Sequence, residues 1–169
     1  LDGVRSAAVQ AHILVIDDNS PDGTGALADA RAQSDDHIHV LHRTEKNGLG
    51  PAYLAGFKWA LENDFELIIE MDADGSHRAE DLALLIQRAE MADKPDLVIG
   101  SRWISGGATQ GWSQKRVLLS RAGNVYINLA LGLNVRDATA GFRVYRADLL
   151  RRMDLNKVGA LGYGFQVNM

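Results

Sequence analysis

Asp72 and Asp74 flank a single alanine directly after an apolar run, residues 67–71. In an extended segment, side chains two positions apart point to the same side, so the two carboxylates can converge on one point. Carboxylate oxygens suit Mg²⁺ or Mn²⁺, and these metals usually complete their coordination with substrate phosphates. Ser76 and His77 follow closely enough to add a ligand or a supporting contact. The acidic pair therefore predicts a metal site for a diphosphate-containing substrate.

The residues alone leave three other interpretations of the acidic stretch open. An acidic turn after a strand is common without any metal, because aspartate and glycine favour turns. Residues 72–76 also resemble the nucleophile loop of haloacid-dehalogenase-type phosphatases, in which a later acidic pair completes the metal site. Residues 13–19 resemble the opening strand of response-regulator receiver domains, with Asp72 as the phosphate acceptor. Each interpretation explains one motif and leaves the others unexplained.

A second group of residues is suited to binding a phosphate. Arg102 follows the fourth predicted strand, and Arg116 and Ser120 are four positions apart, hence on one face of a predicted helix. These three side chains could converge on a phosphate through charge-assisted hydrogen bonds. The neighbouring Lys115 and Arg121 are better explained as a solvated basic helix face.

Two further stretches could contact a nucleotide. Asp18, at the end of the first predicted strand, can accept hydrogen bonds from a nucleobase or ribose, whereas Asp22 is explained equally well as a cap of the next helix. Residues 46–53 place a lysine and two glycines before a helix N-terminus, which suits a phosphate or an ordinary helix start. Arg143 is expected to pair with an acid in the sheet.

Length and composition narrow the classes of protein. The chain has 169 residues, enough for one domain with a core, and its net charge of -4 argues against a nucleic-acid partner. It has no cysteine, which excludes disulfides and thiolate chemistry and fits a reducing compartment. No run approaches the roughly 18 apolar residues needed to cross a bilayer.

Strand and helix patterns alternate along the chain. Short apolar runs predict strands at residues 12–16, 38–41, 67–71, 97–99 and 142–145. Helical spacing predicts helices at residues 24–32, 51–62, 80–91 and 115–131, a short one from 147, and a loop over 100–111. We predict one α/β domain with a mostly parallel sheet and helices on both faces. Both ends look abrupt, with no closing element in residues 164–169.

Seven motifs in a fixed order resemble a family of transferases. They are residues 17–24, 48–53, 72–77, 100–102, 116–124, 137–143 and 162–166. Together they resemble the dolichol-phosphate mannose synthases, and more narrowly the bacterial polyprenol monophosphomannose synthases, which are inverting glycosyltransferases of family two. The resemblance implies a nucleotide-diphospho-sugar transferase (GT-A type) fold. Residues 1–169 would form a single catalytic domain, incomplete at both ends.

The resemblance also implies an activity and its partners. The enzyme would transfer mannose from GDP-mannose to a polyprenyl (dolichyl) phosphate with inversion, using Mg²⁺ or Mn²⁺, at the cytoplasmic face of a membrane. A polyprenyl-phosphate glucosyltransferase is the nearest alternative, although residues 139–143 look more like the mannosyl relatives. The resemblance implies no nucleic-acid partner.

Each matched site residue receives a role from the resemblance. The residues expected to bind the donor are Ile16, Asp18, Asp72, Ala73, Asp74, Arg102 and Gln166. The expected metal ligands are Asp72, Asp74 and Ser76, and the acceptor phosphate would be bound by Arg102, Arg116 and Ser120. The residues expected to carry catalysis are Asp74, Arg102 and Arg116.

Two family features are missing from this sequence. Relatives begin with a strand ending in Pro-Thr-Tyr-Asn-Glu, and they continue past Gln166 to a loop with Arg, Ser and Lys that closes on the diphosphate. Neither is present here. We therefore expect the chain to be a fragment that binds the donor weakly or is inactive alone.

Overall fold

The computed structural model describes residues 1–109, 111–158 and 164–169. Its strands are β1 (Ile13–Asp17), β2 (Ile38–His42), β3 (Leu67–Glu70), β4 (Leu97–Ile99) and β5 (Arg143–Arg146). Its α-helices are α1 (Asp2–Ala7), α2 (Thr24–Ala32), α3 (Leu49–Glu62), α4 (Ala79–Ala89), α5 (Gln114–Leu131), α6 (Ala147–Arg152) and α7 (Gly164–Asn168), and a 3₁₀ helix covers Leu155–Lys157. Every predicted strand and helix is present, with ends displaced by at most two residues. The α/β class is confirmed.

The structure differs from the prediction near both ends. Helix α1 was not predicted, and α7 lies in the segment expected to hold no closing element. Helices this short carry too few residues for a visible period and depend on tertiary contacts. Such contacts exist, since a Cβ on Gly3 of α1 would lie 3.2 Å from the Cβ of Ala79 on α4, and α7 buries Phe165 and Gln166. Gln110 of the predicted loop, and Gly162 and Tyr163 of the last motif, lie outside the described residues.

The strands form two hydrogen-bonded groups. β1 and β2 are parallel, with Ile13 opposite Ile38 and Asp17 opposite His42. β5 lies between β3 and β4 and is antiparallel to both. β3 and β4 consequently run in the same direction as each other, as predicted, whereas the direction and central place of β5 were not foreseen.

The core forms where α3, α6 and α7 pack on the second group of strands. Its buried members are Phe57, Ala60, Ile68, Tyr145, Ala147, Leu150 and Phe165. The ring of Phe57 meets Tyr145 edge to face at 5.2 Å, and Tyr53 stacks on Phe165 at 6.1 Å. Burying each such side chain contributes roughly 1.5–3 kcal/mol. This packing fixes α3 and α7 against the strand from which the acidic pair extends.

The sheet brings the predicted site segments to one edge. Because β3 and β4 are parallel to each other, Asp72 and Arg102 follow strand ends at the same edge. β5 starts at this edge, where Arg143 pairs with both Glu70 and Ile99, so residues 137–142 arrive there too. In the part of the chain that the structure describes, no helix is long and apolar enough to span a membrane.

Candidate active site

Asp72 is held rigidly by neighbours from two elements. The hydroxyl of Tyr53, on α3, donates to Asp72 Oδ1 at 2.5 Å. The backbone N–H of Asp72 donates to His77 Nδ1 at 3.0 Å, and the imidazole stacks on Phe142 at 5.0 Å. Burial raises the pKa of Tyr53, and the hydrogen bond to Asp72 raises it further, so the phenol stays a donor. One carboxylate oxygen is therefore fixed and the other is left for a ligand.

His77 is a neutral hydrogen-bond donor at this site. Burial lowers the pKa of its imidazole, and this effect outweighs the negative charges of Asp72 and Asp74, which raise it. Because Nδ1 accepts from the backbone of Asp72, the single proton of the neutral ring must reside on Nε2. Nε2 lies 3.9 Å from Asp72 Oδ2.

Asp74 presents a carboxylate to solvent. Its Oδ1 accepts from the backbone N–H of Ser76 at 2.9 Å, across a turn in which Gly75 has a φ of 79°. Hydrogen bonds from the side chain and backbone of Ser76 lower the pKa of Asp74, so it is ionised at neutral pH. Asp74, Ser76 and the intervening glycine are all exposed.

The acidic pair fits a metal that shares its coordination with a substrate. The described residues contain no group of three or more acidic, histidine or cysteine side chains that could hold a metal ion. Mg²⁺ commonly uses only one or two protein carboxylates, together with water and substrate phosphates. Asp72, Asp74 and the Ser76 hydroxyl therefore match an open site in donor type and number, whereas a closed structural site would need more ligands.

A buried polar network lies on the strand that leads to Asp72. Glu70, two positions earlier on β3, is 1% exposed and accepts hydrogen bonds from the Tyr145 hydroxyl, at 3.1 Å, and from the amide of Gln166. Burial raises the pKa of Glu70 to about 7. Gln166, which the resemblance assigns to donor binding, is itself buried. A Cβ built on Gly141 would lie 3.6 Å from Gln166 Nε2 and 3.5 Å from Asp72 Oδ2.

Among the described residues, Arg143 does not form the direct ion pair expected for it. Its guanidinium donates to the backbone carbonyls of Ala138 and Ala140, each at 2.7 Å. The nearest acid, Glu70, is reached through Tyr145, whose hydroxyl lies 3.5 Å from Arg143 Nη1. Arg143 therefore shapes the segment before β5.

Two of the residues predicted to bind the donor, Ile16 and Asp18, line a cavity of about 470 Å³. Its walls are Ile16, Asp18, Asn19, Ser20, Pro21, Lys46, Gly48, Leu49 and Ala52. The structure thus brings the end of β1 and the start of α3 together, which the sequence did not indicate. Asp18 is paired with Arg43, whose Nη1 lies 2.8 Å from Asp18 Oδ1.

Arg102 forms a two-point ion pair that the sequence did not reveal. Its Nε and Nη2 donate to the two carboxylate oxygens of Asp137 at 2.7 and 2.6 Å. Its backbone N–H donates to Asp137 as well, and Nη2 also reaches Thr139. Asp137 is 1% exposed, and the amide of Asn124 points at it from α5. Arg102 is therefore locked in one orientation and partly neutralised.

Two tryptophans connect the arginines of the predicted acceptor site. The guanidinium carbons of Arg102 and Arg116 lie 5.0 and 4.0 Å from the ring centroid of Trp112. Arg121 lies 4.9 Å from the ring of Trp103, so its side chain rests on an aromatic face and is not simply solvated. We call residues 102, 103, 112, 116 and 121 the arginine–tryptophan cluster. Cations held close together on aromatic faces suit a phosphate.

Ser120 is the least engaged of the predicted acceptor residues. It lies one helical turn after Arg116, and among the described residues its hydroxyl makes no hydrogen bond, whereas its carbonyl accepts from Asn124. Asp137, Trp112 and Tyr53 were all missed as functional candidates. For Trp112, the available signal was the presence of two tryptophans among the arginines of residues 102–121.

Comparison with known proteins agrees with this geometry. The model of Glycosyl transferase family 2 matches residues 2–154. An undecaprenyl-phosphate mannosyltransferase of Micrococcus luteus is 52% identical over 166 residues, which cover 98% of this chain and 67% of that protein. A polyprenol monophosphomannose synthase of Mycolicibacterium smegmatis is 48% identical over 167 residues, 98% of this chain and 62% of that protein. The chain thus spans less than two thirds of the length of the second relative. Because the family model matches most of the chain, this protein belongs to glycosyl transferase family 2.

Proposed function

We propose that this protein is a catalytic domain that transfers mannose from GDP-mannose to a polyprenyl phosphate, with inversion. The observation that carries the proposal is the placement of two sites at one sheet edge, where β3 and β4 end on either side of β5. One site is the acidic pair with Asp72 fixed by Tyr53 and His77, and the other is the arginine–tryptophan cluster. The names of both relatives support a polyprenyl acceptor and a mannosyl group. Family membership gives the phosphatase and receiver interpretations no support.

The acidic pair would bind the donor diphosphate through Mg²⁺ or Mn²⁺. The residues holding the metal would be Asp72, Asp74 and Ser76. When bound, the metal neutralises charge on the departing diphosphate. Asp18 and Ile16, in the cavity at the end of β1, would contact the guanosine, and Ala73 would contact the nucleotide.

The acceptor needs positioning more than activation. A phosphate monoester is anionic near neutral pH, so its oxygen is a nucleophile without a strong general base. The exposed guanidinium of Arg116 and the hydroxyl of Ser120 would bind this phosphate, while Arg102, held by Asp137, would align it. Catalysis then comes from orientation and charge stabilisation. One direct displacement inverts the anomeric carbon and gives a β-mannosyl phosphate.

A donor screen tests the proposed function. Full-length protein with manganese and a short polyprenyl phosphate is expected to transfer sugar from GDP-mannose, with the lipid product measured by mass spectrometry. UDP-glucose is the decisive comparison, because preferential transfer from it would replace the mannosyl assignment by the glucosyl one. Absence of transfer from every nucleotide sugar would contradict the proposal.

Helix α5 supports a membrane surface as the setting of the reaction. Its outer face comprises Leu118, Leu119, Val125, Tyr126 and Leu129, which are 59–79% exposed. The buried residue of the helix, Asn124, faces the other way. Arg116 and Arg121 lie on opposite edges of the outer face, since successive residues turn by about 100°. The helix contains three cations and no acid, in a chain of net charge -4.

This combination is typical of a helix that lies in the headgroup region of a bilayer. Leucines and a tyrosine would enter the lipid, and the flanking arginines would meet anionic headgroups. Because Arg116 and Ser120 belong to the same helix, docking would place the proposed acceptor site at the height of a lipid phosphate. We assign the reaction to the cytoplasmic face, which the lack of cysteine fits.

A vesicle-binding assay tests the role of the α5 outer face. Replacing Leu118 and Leu129 with serine is expected to weaken binding to phosphatidylglycerol-containing vesicles about tenfold or more, since burying each leucine contributes roughly 1.5 kcal/mol. Co-sedimentation measures the change. Leu84 on α4, 62% exposed, provides the control, and Leu84→Ser should have little effect. Unchanged vesicle binding, or a loss of self-association in its place, would assign the face to another partner.

A further inference from the structure

Helix α5 buries an asparagine where a surface helix usually buries apolar residues. Its buried residue is Asn124, while the leucines and the tyrosine of its outer face are exposed. Packing of an apolar stripe normally fixes such a helix on its domain. Because α5 turns much of its apolar surface outwards, its side-chain hydrogen bonds contribute more to fixing its position.

Two asparagines of α5 bind the segment of residues 135–138, which leads towards β5. The Oδ1 of Asn124 accepts from the backbone N–H of Ala138 at 2.7 Å. The Oδ1 of Asn128 accepts from the backbone N–H of Val135 at 3.0 Å, and its Nδ2 donates to the carbonyl of the same residue at 2.7 Å. The segment is therefore attached to α5 at two points, about one helical turn apart.

The same segment holds Arg102. Asp137 belongs to it, and Arg102 binds both carboxylate oxygens of Asp137. The Nδ2 of Asn124 lies 3.5 Å from Asp137 Oδ1, and Arg143 donates to the carbonyl of Ala138 from the β5 side. A continuous chain of hydrogen bonds thus runs from α5 through Asp137 to the arginine that follows β4.

The asparagines continue the row of α5 that carries the proposed acceptor residues. Members of this row follow one another at intervals of four and form one ridge of the helix; they are Arg116, Ser120, Asn124 and Asn128. Within the row, the amide of Asn124 donates to the carbonyl of Ser120 at 3.0 Å, and that of Asn128 donates to the carbonyl of Asn124 at 2.8 Å. The contacts of the asparagines with residues 135–138 therefore also fix where Arg116 and Ser120 lie relative to Arg102.

We propose that Asn124 and Asn128 are positioning residues of the transfer reaction, which hold Arg116 and Ser120 at a fixed distance from Arg102 so that all three act on one acceptor phosphate. Neither asparagine would contact the substrate itself. The inference rests on the proposed function, because it assumes that these three residues serve the acceptor. The nucleotide cavity is lined by residues of other segments, so donor binding should not depend on the asparagines.

The variants Asn124→Ala and Asn128→Ala test the inference in full-length protein with manganese. Each is expected to raise the KM for a short polyprenyl phosphate about tenfold or more, since hydrogen bonds that orient charged groups are lost. The affinity for GDP, measured by titration calorimetry, should stay within about twofold. Asn128 is only half-buried, so Asn128→Ala provides the measurement if Asn124→Ala does not fold.

Asn63 provides a matched control. Its side-chain amide also donates to the carbonyl four residues earlier, that of Trp59 at 2.8 Å, but at the exposed end of α3. Asn63→Ala removes the same kind of hydrogen bond away from residues 135–138. It should leave both the KM for the lipid and the affinity for GDP unchanged.

A double-variant cycle separates positioning from a purely structural role. In protein that already carries Arg116→Ala, the change Asn128→Ala is expected to raise the KM for the lipid by less than about threefold, because α5 no longer has this arginine to align. A purely structural role would lower the melting temperature, and any effect on the KM would have the same size with and without Arg116.

Two sets of results would overturn the inference and leave the proposed function intact. In one, the unmodified protein transfers mannose, but the asparagine variants keep the KM for the lipid within twofold or weaken GDP binding by an equal factor. In the other, the effects of Asn128→Ala and Arg116→Ala multiply. If the unmodified protein transfers no sugar from any nucleotide sugar, the proposed function fails and the inference fails with it.

Discussion

Replacing Asp74 with alanine should lower kcat/KM for mannosyl transfer by about 10³-fold, a loss of roughly 4 kcal/mol of transition-state stabilisation. The carboxylate is exposed and ionised, and within the described part of the chain it accepts a hydrogen bond only from Ser76. Its removal therefore takes a ligand from the proposed diphosphate site without disturbing the fold. Initial rates of lipid product formation at saturating manganese measure the effect, and the melting temperature should change by no more than about 2 °C.

The chain contains a matched control for this change. Asp22 is also exposed, also accepts a hydrogen bond from the backbone N–H two residues later, in its case Thr24 at 3.0 Å, and also has a lowered pKa caused by that residue. Asp22→Ala should retain nearly full activity. If Asp74→Ala kept more than a tenth of the activity, or if both variants lost it equally, Asp74 would not hold the diphosphate through a metal.

Replacing Asp137 with alanine should reduce the free energy of unfolding by about 3 kcal/mol or more, because the change leaves Arg102 without its partner. Asp137 is 1% exposed and binds Arg102 at two points. The double variant Arg102→Met with Asp137→Leu should be destabilised less than Asp137→Ala, since it removes both charges and restores apolar contact. Urea unfolding followed by tryptophan fluorescence measures all three proteins.

An exposed pair with the same geometry provides the comparison. Arg88 and Asp93 also form a two-point ion pair, with both distances 2.8 Å, at the end of α4. Because solvent screens that pair, Asp93→Ala should have a much smaller effect. Equal effects of Asp93→Ala and Asp137→Ala would mean that Asp137 does not anchor Arg102. Loss of transfer in an Arg102 variant has to be compared with its stability before any catalytic role is assigned.

Local patterns predicted most of the fold, and long-range pairing explains the remainder. Strand β4 and helix α2 have the predicted bounds because apolar runs and helical spacing are visible within a few residues. The direction of β5 could not be read in this way, since its four residues would look the same in a parallel strand. Its neighbours on both sides decide it.

The candidate site likewise combines residues that local patterns predicted with contacts that depend on long-range packing. Asp72 and Asp74 follow the predicted end of β3, and Asp18 follows the predicted end of β1, and the structure places all three there because those strand ends were visible in the sequence. The ion pair between Arg102 and Asp137 joins residues far apart in sequence, and no spacing rule indicates it. Gln166 was assigned to donor binding by resemblance alone; its contact with the buried Glu70 depends on how α7 packs.

The central position of β5 has a consequence for how the protein is made. β3 and β4 leave the ribosome well before residues 143–146, yet among the described strands neither has a partner until β5 is inserted between them. During that interval both nascent strands have unpaired edges, which favour association with other chains. β1, β2 and α2, by contrast, are close in sequence and can pair early. During synthesis, the β1 wall of the nucleotide cavity should therefore form first, at a time when the acidic pair still lacks its supporting network.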